Sequence, residues 1–249
     1  MEFALAAVAF WPGMAIGSFL TVVAGRMPQR VSVVRGRSAC PSCGHEIAWY
    51  DNIPLLSFAL LRGRCRSCRE PISWRYPLVE LTTAFLVAAC FFHFGLTGDA
   101  LVAAFTCATL VALSAIDLEH RILPNRITLP SFAIVLVANT ALHPSVEWAL
   151  CALGASLFLF LAALVYPSGM GMGDVKLALL MGAACGRTVT VALAVGMVSS
   201  LVPAAFLFAR HGSAARKMGI PFGPFLAFGT VFALFFGDWA LSAYTGLMS

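Results

Sequence analysis

The chain has 249 residues, 60% hydrophobic and only 11% charged, with a net charge of +5. Soluble domains usually carry about 25% charged residues, so this chain has too few charges to cover a soluble protein of its size. The composition excludes a soluble globular enzyme and points to an integral membrane protein.

Eight apolar stretches follow in chain order, at about 3–24, 77–95, 100–117, 127–143, 147–166, 174–186, 188–209 and 221–244. Most have close to the ~20 residues needed to cross ~30 Å of hydrocarbon. The sixth is shorter. No basic region precedes the first stretch and no cleavage site follows it, so it reads as a retained anchor and not a cleaved signal peptide. The expected fold class is an all-α polytopic membrane protein of about eight transmembrane helices, with one small polar domain inserted after the first.

Lysine and arginine set the orientation. With the N-terminus outside, the cytoplasmic segments are 25–76, 118–126, 167–173 with the start of the sixth helix, and 210–220. They hold Arg26, Arg30, Arg35, Arg37, Arg62, Arg64, Arg66, Arg69, Arg75, Arg121, Arg126, Lys176, Arg210, Arg216 and Lys217, which is fifteen of the sixteen basic residues. Arg187 alone falls outside. This asymmetry, with contact to anionic lipid, accounts for the net charge without a nucleic-acid partner.

The polar insertion, 25–76, contains Cys40-Pro-Ser-Cys43 and Cys65-Arg-Ser-Cys68. Two C-x2-C pairs resemble a four-cysteine zinc site. An internal repeat supports this: Cys, Ser, Cys, Ile and Trp recur at an offset of 25 residues, ending at Ile47 and Trp49 in one copy and Ile72 and Trp74 in the other. Neighbouring arginines favour the thiolate form. The alternatives are two disulfides or a redox pair. A reducing cytoplasm opposes the first, and a redox C-x-x-C normally occurs singly on a βα unit, which is absent. Four thiolates leave zinc no open position, so the metal would be structural. Cys90, Cys107, Cys151 and Cys185 lie in apolar runs and read as helix packing.

Acidic residues are scarce. Glu2, Asp99, Glu147 and Asp238 fall at outer ends or loops, Glu46, Asp51 and Glu70 in the polar insertion, and Glu119 in a short cytoplasmic loop. Glu80 falls in the first turn of the second helix, where a carboxylate suits the helix dipole. Asp117 ends the run "LVALSAID". Asp174 follows the glycines of "GMGMGD" and opens the sixth helix. Alone, Asp174 reads as an N-cap and Asp117 as a wet helix end. Together they lie at one depth on the cytoplasmic side, where an ionisable group usually faces a partner or a water-filled cavity.

Two close carboxylates cannot both ionise easily, so one proton is shared. The ionised member takes a proton from water and the protonated member donates to a peptide carbonyl. That is general acid–base hydrolysis without a covalent intermediate. Gly171 and Gly173 would let a substrate strand approach the backbone closely, and Gly169 would loosen the approach. Lys176 lies about 200° round the helix from Asp174, so it should not pair with it and should snorkel to the surface. A transporter would also use broken helices and buried carboxylates, but it would place them at the midplane and show inverted repeats. A zinc-anchored scaffold leaves the two aspartates unexplained.

Several stretches resemble the type IV prepilin peptidases, which belong to the GxGD aspartyl proteases. Gly171-Met172-Gly173-Asp174 fits the G-x-G-D motif. "AIDLEHRILPNRITLP", residues 115–130, resembles the segment with the first catalytic aspartate, which would be Asp117. "GSFLTVVAGRMP", both C-x-x-C pairs with "NIPLLSFALLRGRCRSC" and "RYPLVE", and "IPFGPFLA" complete a similarity running from about Gly17 to Ala227. Thr21 stands where the family often has Asn.

The resemblance implies an enzyme of the bacterial inner membrane with two activities. It would remove the basic leader of prepilins or pseudopilins at the cytoplasmic face, using Asp117 and Asp174. It would then N-methylate the new terminal residue with S-adenosylmethionine. A peptidase that has lost methylation is the alternative. The implied organisation is a first helix over 1–24, a zinc domain over 25–76 held by Cys40, Cys43, Cys65 and Cys68, and a transmembrane peptidase domain over 77–249.

Overall fold

The computed structural model describes residues 2–29, 31–33, 38–166, 170–212 and 219–248. Gly169, Arg30, Arg35, Arg37, Arg216 and Lys217, named above, lie outside the described residues. The chain divides into two compact units, Met1–Ala115 and Ile116–Ser249.

In the first unit, α1 (Glu2–Arg26) pairs lengthwise with α3 (Arg75–Phe94). Glycine permits the approach: a Cβ on Gly13 would stand 2.9 Å from the Ala84 Cα, and one on Gly17 2.7 Å from the Glu80 Cα. In lipid no hydrophobic force draws helices together, so close backbone packing by small residues supplies the attraction. Between the two helices lie a 3-10 turn (Trp49–Asn52) and the short α2 (Leu56–Leu60). The only extended pairing among the described residues is two isolated bridges, Ala39–Glu46 and Arg64–Pro71. Next comes α4 (Gly98–His120), inside which the division between units falls. The buried thiols of Cys90 and Cys107 meet at 3.8 Å, the packing role read from sequence.

The second unit adds α5 (Asn125–Leu142), α6 (Glu147–Val165), α7 (Met172–Cys185), α8 (Val189–His211) and α9 (Gly223–Met248). Helix α7 is its centre and packs against α5, α6 and α9. Ten of its fourteen residues are buried, so protein and not lipid surrounds it. It is about 21 Å long, shorter than the hydrocarbon layer, and it needs no greater length because its neighbours cover it. Buried polar groups fix its position: the Asn139 amide donates to the Ala183 carbonyl at 2.7 Å, and the Ser156 hydroxyl to the Val175 carbonyl at 3.0 Å. Gly182 lies directly against the backbone of Cys151 and Ala152.

Among the described residues, seven stretches are long and apolar enough to cross a membrane, by length and composition. The longest, Met172–His211, is two helices: a 3-10 turn at Gly186–Thr188, with Gly186 at φ +54°, separates α7 from α8. The helix count is therefore about eight, as expected. Large side chains such as Leu153, Leu157, Leu161 and Leu164 on α6 are exposed, the face that acyl chains would cover. At one end of this unit Glu147 accepts the Arg187 N–H at 3.0 Å, and the Arg187 guanidinium pairs with Asp238 at 3.3 Å. These three residues were each placed on the outer side from sequence, and they meet.

Candidate active site and metal centre

The offset of 25 residues between the C-x-x-C pairs is repeated bond for bond. Gly44 N–H donates to the Cys40 carbonyl at 2.9 Å, and Arg69 N–H to that of Cys65 at 3.0 Å. Cys40 N–H donates to the His45 carbonyl, and Cys65 N–H to that of Glu70, both at 2.9 Å. Ile47 and Ile72 donate to Ser38 and Gly63, both at 2.7 Å. The fifth knuckle position is left-handed in both copies, with Gly44 at φ +71° and Arg69 at φ +62°.

These turns bring the four Sγ atoms of Cys40, Cys43, Cys65 and Cys68 within 4.8 Å of one another, with Cys40 and Cys68 at 3.8 Å. A tetrahedral ion with ~2.3 Å zinc–sulfur bonds needs sulfurs about 3.8 Å apart, so the set fits zinc. All four are free thiols, unpaired in disulfides. The N–H groups of Cys43 and Ser42 donate to Cys40 and push its thiol down to about 6. At Cys68 the Glu70 N–H is outweighed by burial and the neighbouring thiols, which push that thiol up to about 12. One thiolate therefore forms readily, and a bound cation would be needed to hold the rest deprotonated. Beside this centre the Arg66 guanidinium holds the Asp51 carboxyl below the usual carboxylate range through bonds of 2.6 and 2.7 Å.

In the second unit, Asp117 occupies the last turn of α4 and is 6% exposed. Its Oδ2 accepts the N–H of Gly223, the first residue of α9, at 3.0 Å. Asp174 is 8% exposed, and its Oδ2 accepts the Gly171 N–H at 3.2 Å, while its own N–H donates to the Gly171 carbonyl at 3.1 Å. Gly171 is thus the N-cap of α7, and Asp174 sits three residues inside it. The cap expected of Asp174 is made from the third helical position.

Two contacts tie the start of α7 to the segment after Asp117. Leu123 fills the space beside Gly173, 3.0 Å from where a Cβ would be. The Lys176 ammonium donates to Asn125 at 3.0 Å, so Lys176 avoids Asp174 as expected but has a definite partner. The two carboxylates are near enough for their charges to interact.

Two family models match the chain. The Bacterial Peptidase A24 N-terminal domain matches residues 12–94, and the Type IV leader peptidase family matches residues 104–236. The chain belongs to the type IV leader peptidase family. Its relatives include a prepilin leader peptidase/N-methyltransferase of Burkholderia pseudomallei, 36% identical over 262 residues, covering 90% of this chain and 83% of the relative. One of the same name from Bacillus subtilis is 34% identical over 237 residues, covering 93% and 94%. Another from Myxococcus xanthus is 54% identical over 118 residues, covering 47% and 35%. No solved structure gives a significant match.

Within this leader peptidase chain, sequence reasoning missed two residues. Gly223 was quoted only as part of "IPFGPFLA", yet a Cβ there would lie 2.7 Å from Asp117 Oδ2. Glu80 was placed in a first turn beside the helix dipole. That reading fails, because α3 begins at Arg75 and Glu80 lies in its second turn, 8% exposed. Its Oε2 accepts the N–H of Leu55 at 2.9 Å, and Leu55 holds a left-handed φ of +56°. The signal was its position as the last residue of "RYPLVE", an acid heading an otherwise apolar helix.

Proposed function

We propose that this chain is an integral enzyme of the bacterial inner membrane that cuts the basic leader from type IV prepilins or pseudopilins and then N-methylates the new terminus. What supports the peptidase half is two buried carboxylates whose charges interact, Asp117 and Asp174, with Leu123 and Asn125 of the segment after Asp117 lying against Gly173 and Lys176 at the start of α7. The ionised carboxylate takes a proton from water, and the hydroxide oxygen bonds to the scissile carbonyl carbon. The other carboxyl gives its proton to the carbonyl oxygen. Collapse of the adduct breaks the C–N bond, and the amine leaves with a proton returned from the dyad. Gly171, exposed and without a side chain, leaves room for a substrate strand to pass close to Asp174, and Gly173 keeps the backbone low by admitting Leu123.

S-adenosylmethionine, when bound, would supply the methyl group to the new terminal amine, which would lose a proton. Zinc at Cys40, Cys43, Cys65 and Cys68 holds the polar domain in shape and does no chemistry. On this reading 1–24 anchors the chain, 25–76 is the zinc domain and 77–249 the peptidase domain. The N-terminus is outside, and both the zinc domain and the dyad face the cytoplasm, where a pilin precursor keeps its basic leader.

The test is co-expression of a prepilin with the wild type, Asp117→Asn or Asp174→Asn, following leader removal on a gel. Either change abolishes cleavage while the enzyme still accumulates in the membrane. Normal cleavage by both variants would sink the dyad.

A further inference from the structure

The first unit contains a cavity of about 490 Å³ that the peptidase chemistry does not use. Residues of α1, the α3 start and both zinc knuckles line it, among them Ser18, Thr21, Tyr50, Phe58, Tyr76 and Glu80. The volume is within the range of small-molecule sites, ~300–1,000 Å³. Its wall mixes apolar and aromatic faces with carboxylates.

The charge on that wall is opposite to that of the chain. Four carboxylates, Glu46, Asp51, Glu70 and Glu80, face two guanidiniums, Arg26 and Arg66. Asp51 takes Arg66 in a two-bond pair, and Arg26 donates to the Ser32 carbonyl at 3.3 Å. Glu80 is the deeply buried carboxylate of the four, and among the described residues it meets no lysine or arginine. The Leu55 N–H and the Ser18 hydroxyl use part of its hydrogen-bonding capacity, and an ionised carboxylate has about four acceptor sites. Burial without a cation disfavours the ionised form of a carboxyl group, and a cationic ligand would favour it. Tyrosine and phenylalanine faces nearby suit both a planar base and a cation.

We propose that this cavity is the binding site for the sulfonium methyl donor, with Glu80 as the residue that receives its positive end. The inference rests on the methyltransferase reading above and assigns that activity to a place in the fold. It also gives the zinc a consequence: Cys40 and Cys65 form part of the cavity wall, so the metal shapes the donor site.

The experiment measures equilibrium binding of radiolabelled S-adenosylmethionine to purified full-length protein in detergent. Glu80→Gln keeps an oxygen for the Leu55 N–H and removes the charge. It should raise the dissociation constant about tenfold or more, the loss expected for a charge-assisted contact. Zinc content should not change, and Asp99→Asn should bind the donor and cleave prepilin as wild type. Photo-crosslinking of the donor to the wild type, with peptide mapping, gives a readout independent of variant folding. Label should fall on the cavity wall, within residues 18–26 or 38–80. Glu80→Gln binding as tightly as wild type, or label confined to residues outside the cavity wall, overturns the assignment while leaving methylation intact. A wild type that neither binds the donor nor methylates overturns the methyltransferase reading itself.

Discussion

At the scale of single residues, the contact between Asp117 and Gly223 makes a demanding prediction. A methyl group on Gly223 would lie 2.7 Å from the carboxylate oxygen that the same residue's N–H now holds. Gly223→Ala should therefore push Asp117 aside and lower leader cleavage by about 10²-fold, the usual result of misplacing a catalytic group by ~1 Å. Zinc content should be unchanged, which a gel assay and metal analysis on one preparation can verify. Arg69 makes the opposite case. It holds a left-handed φ of +62° where the first knuckle has Gly44, a conformation costing a non-glycine residue about 1–2 kcal/mol. Arg69→Gly should raise the thermal midpoint of the zinc domain or leave it level, and a clear fall would contradict the strain argument. Asp117 and Asp174 could be found in the sequence because acids are rare there and glycines flank one of them. Gly223 could not, because its reason is a carboxylate 106 residues away. Glu80 was misread because Arg75 and Tyr76 looked like loop, which moved the helix start by two residues and hid a buried anion in a first turn.

At the scale of elements, the zinc knuckles and α7 show why patterning succeeds or fails. The knuckles were legible as a repeat because each is a local turn whose hydrogen bonds close within five residues or, for the Ile47–Ser38 and Ile72–Gly63 links, nine. Such a unit should depend on its metal. Purified protein should contain about one zinc per chain, and Cys40→Ser or a strong chelator should remove it; a folded, metal-free wild type would refute the site. Helix α7 reads from sequence as the shorter span 174–186, and its fourteen residues in the structure are few for a bilayer. Hydropathy assumes a helix meets lipid, whereas α7 meets α5, α6 and α9. Its packing is intolerant of added volume at Gly182, which touches the α6 backbone at Cys151 and Ala152. Gly182→Leu should cost about 2 kcal/mol or more through overpacking, read as a lowered unfolding temperature in detergent, and should impair cleavage because α7 carries Asp174.

For the whole molecule, the bilayer imposes a constraint no local pattern carries: helices must alternate in direction. In the second unit Glu147 at the start of α6, Arg187 before α8 and Asp238 late in α9 meet at one end. Asp117 at the end of α4, Asn125 at the start of α5, Asp174 at the start of α7 and Gly223 at the start of α9 gather at the other. Two clusters with consistent polarity are what alternate crossings require, and the basic residues assign a side to each. Arg121, Arg126 and Lys176 belong with the dyad, and Arg187 alone belongs with the opposite end. Orientation follows the side richer in lysine and arginine, so the dyad end should be cytoplasmic. Fusions that truncate the chain after His143 or extend it after the end of α9 should make periplasmic alkaline phosphatase active and green fluorescent protein dark. Fusions after Arg121 or Gly212 should do the reverse. Because the crossings are coupled, a single fusion with the wrong sign would shift the register of every later helix. Correct signs after Arg121 and His143 with wrong signs after Gly212 and after α9 would mean that the short helix α7 does not cross.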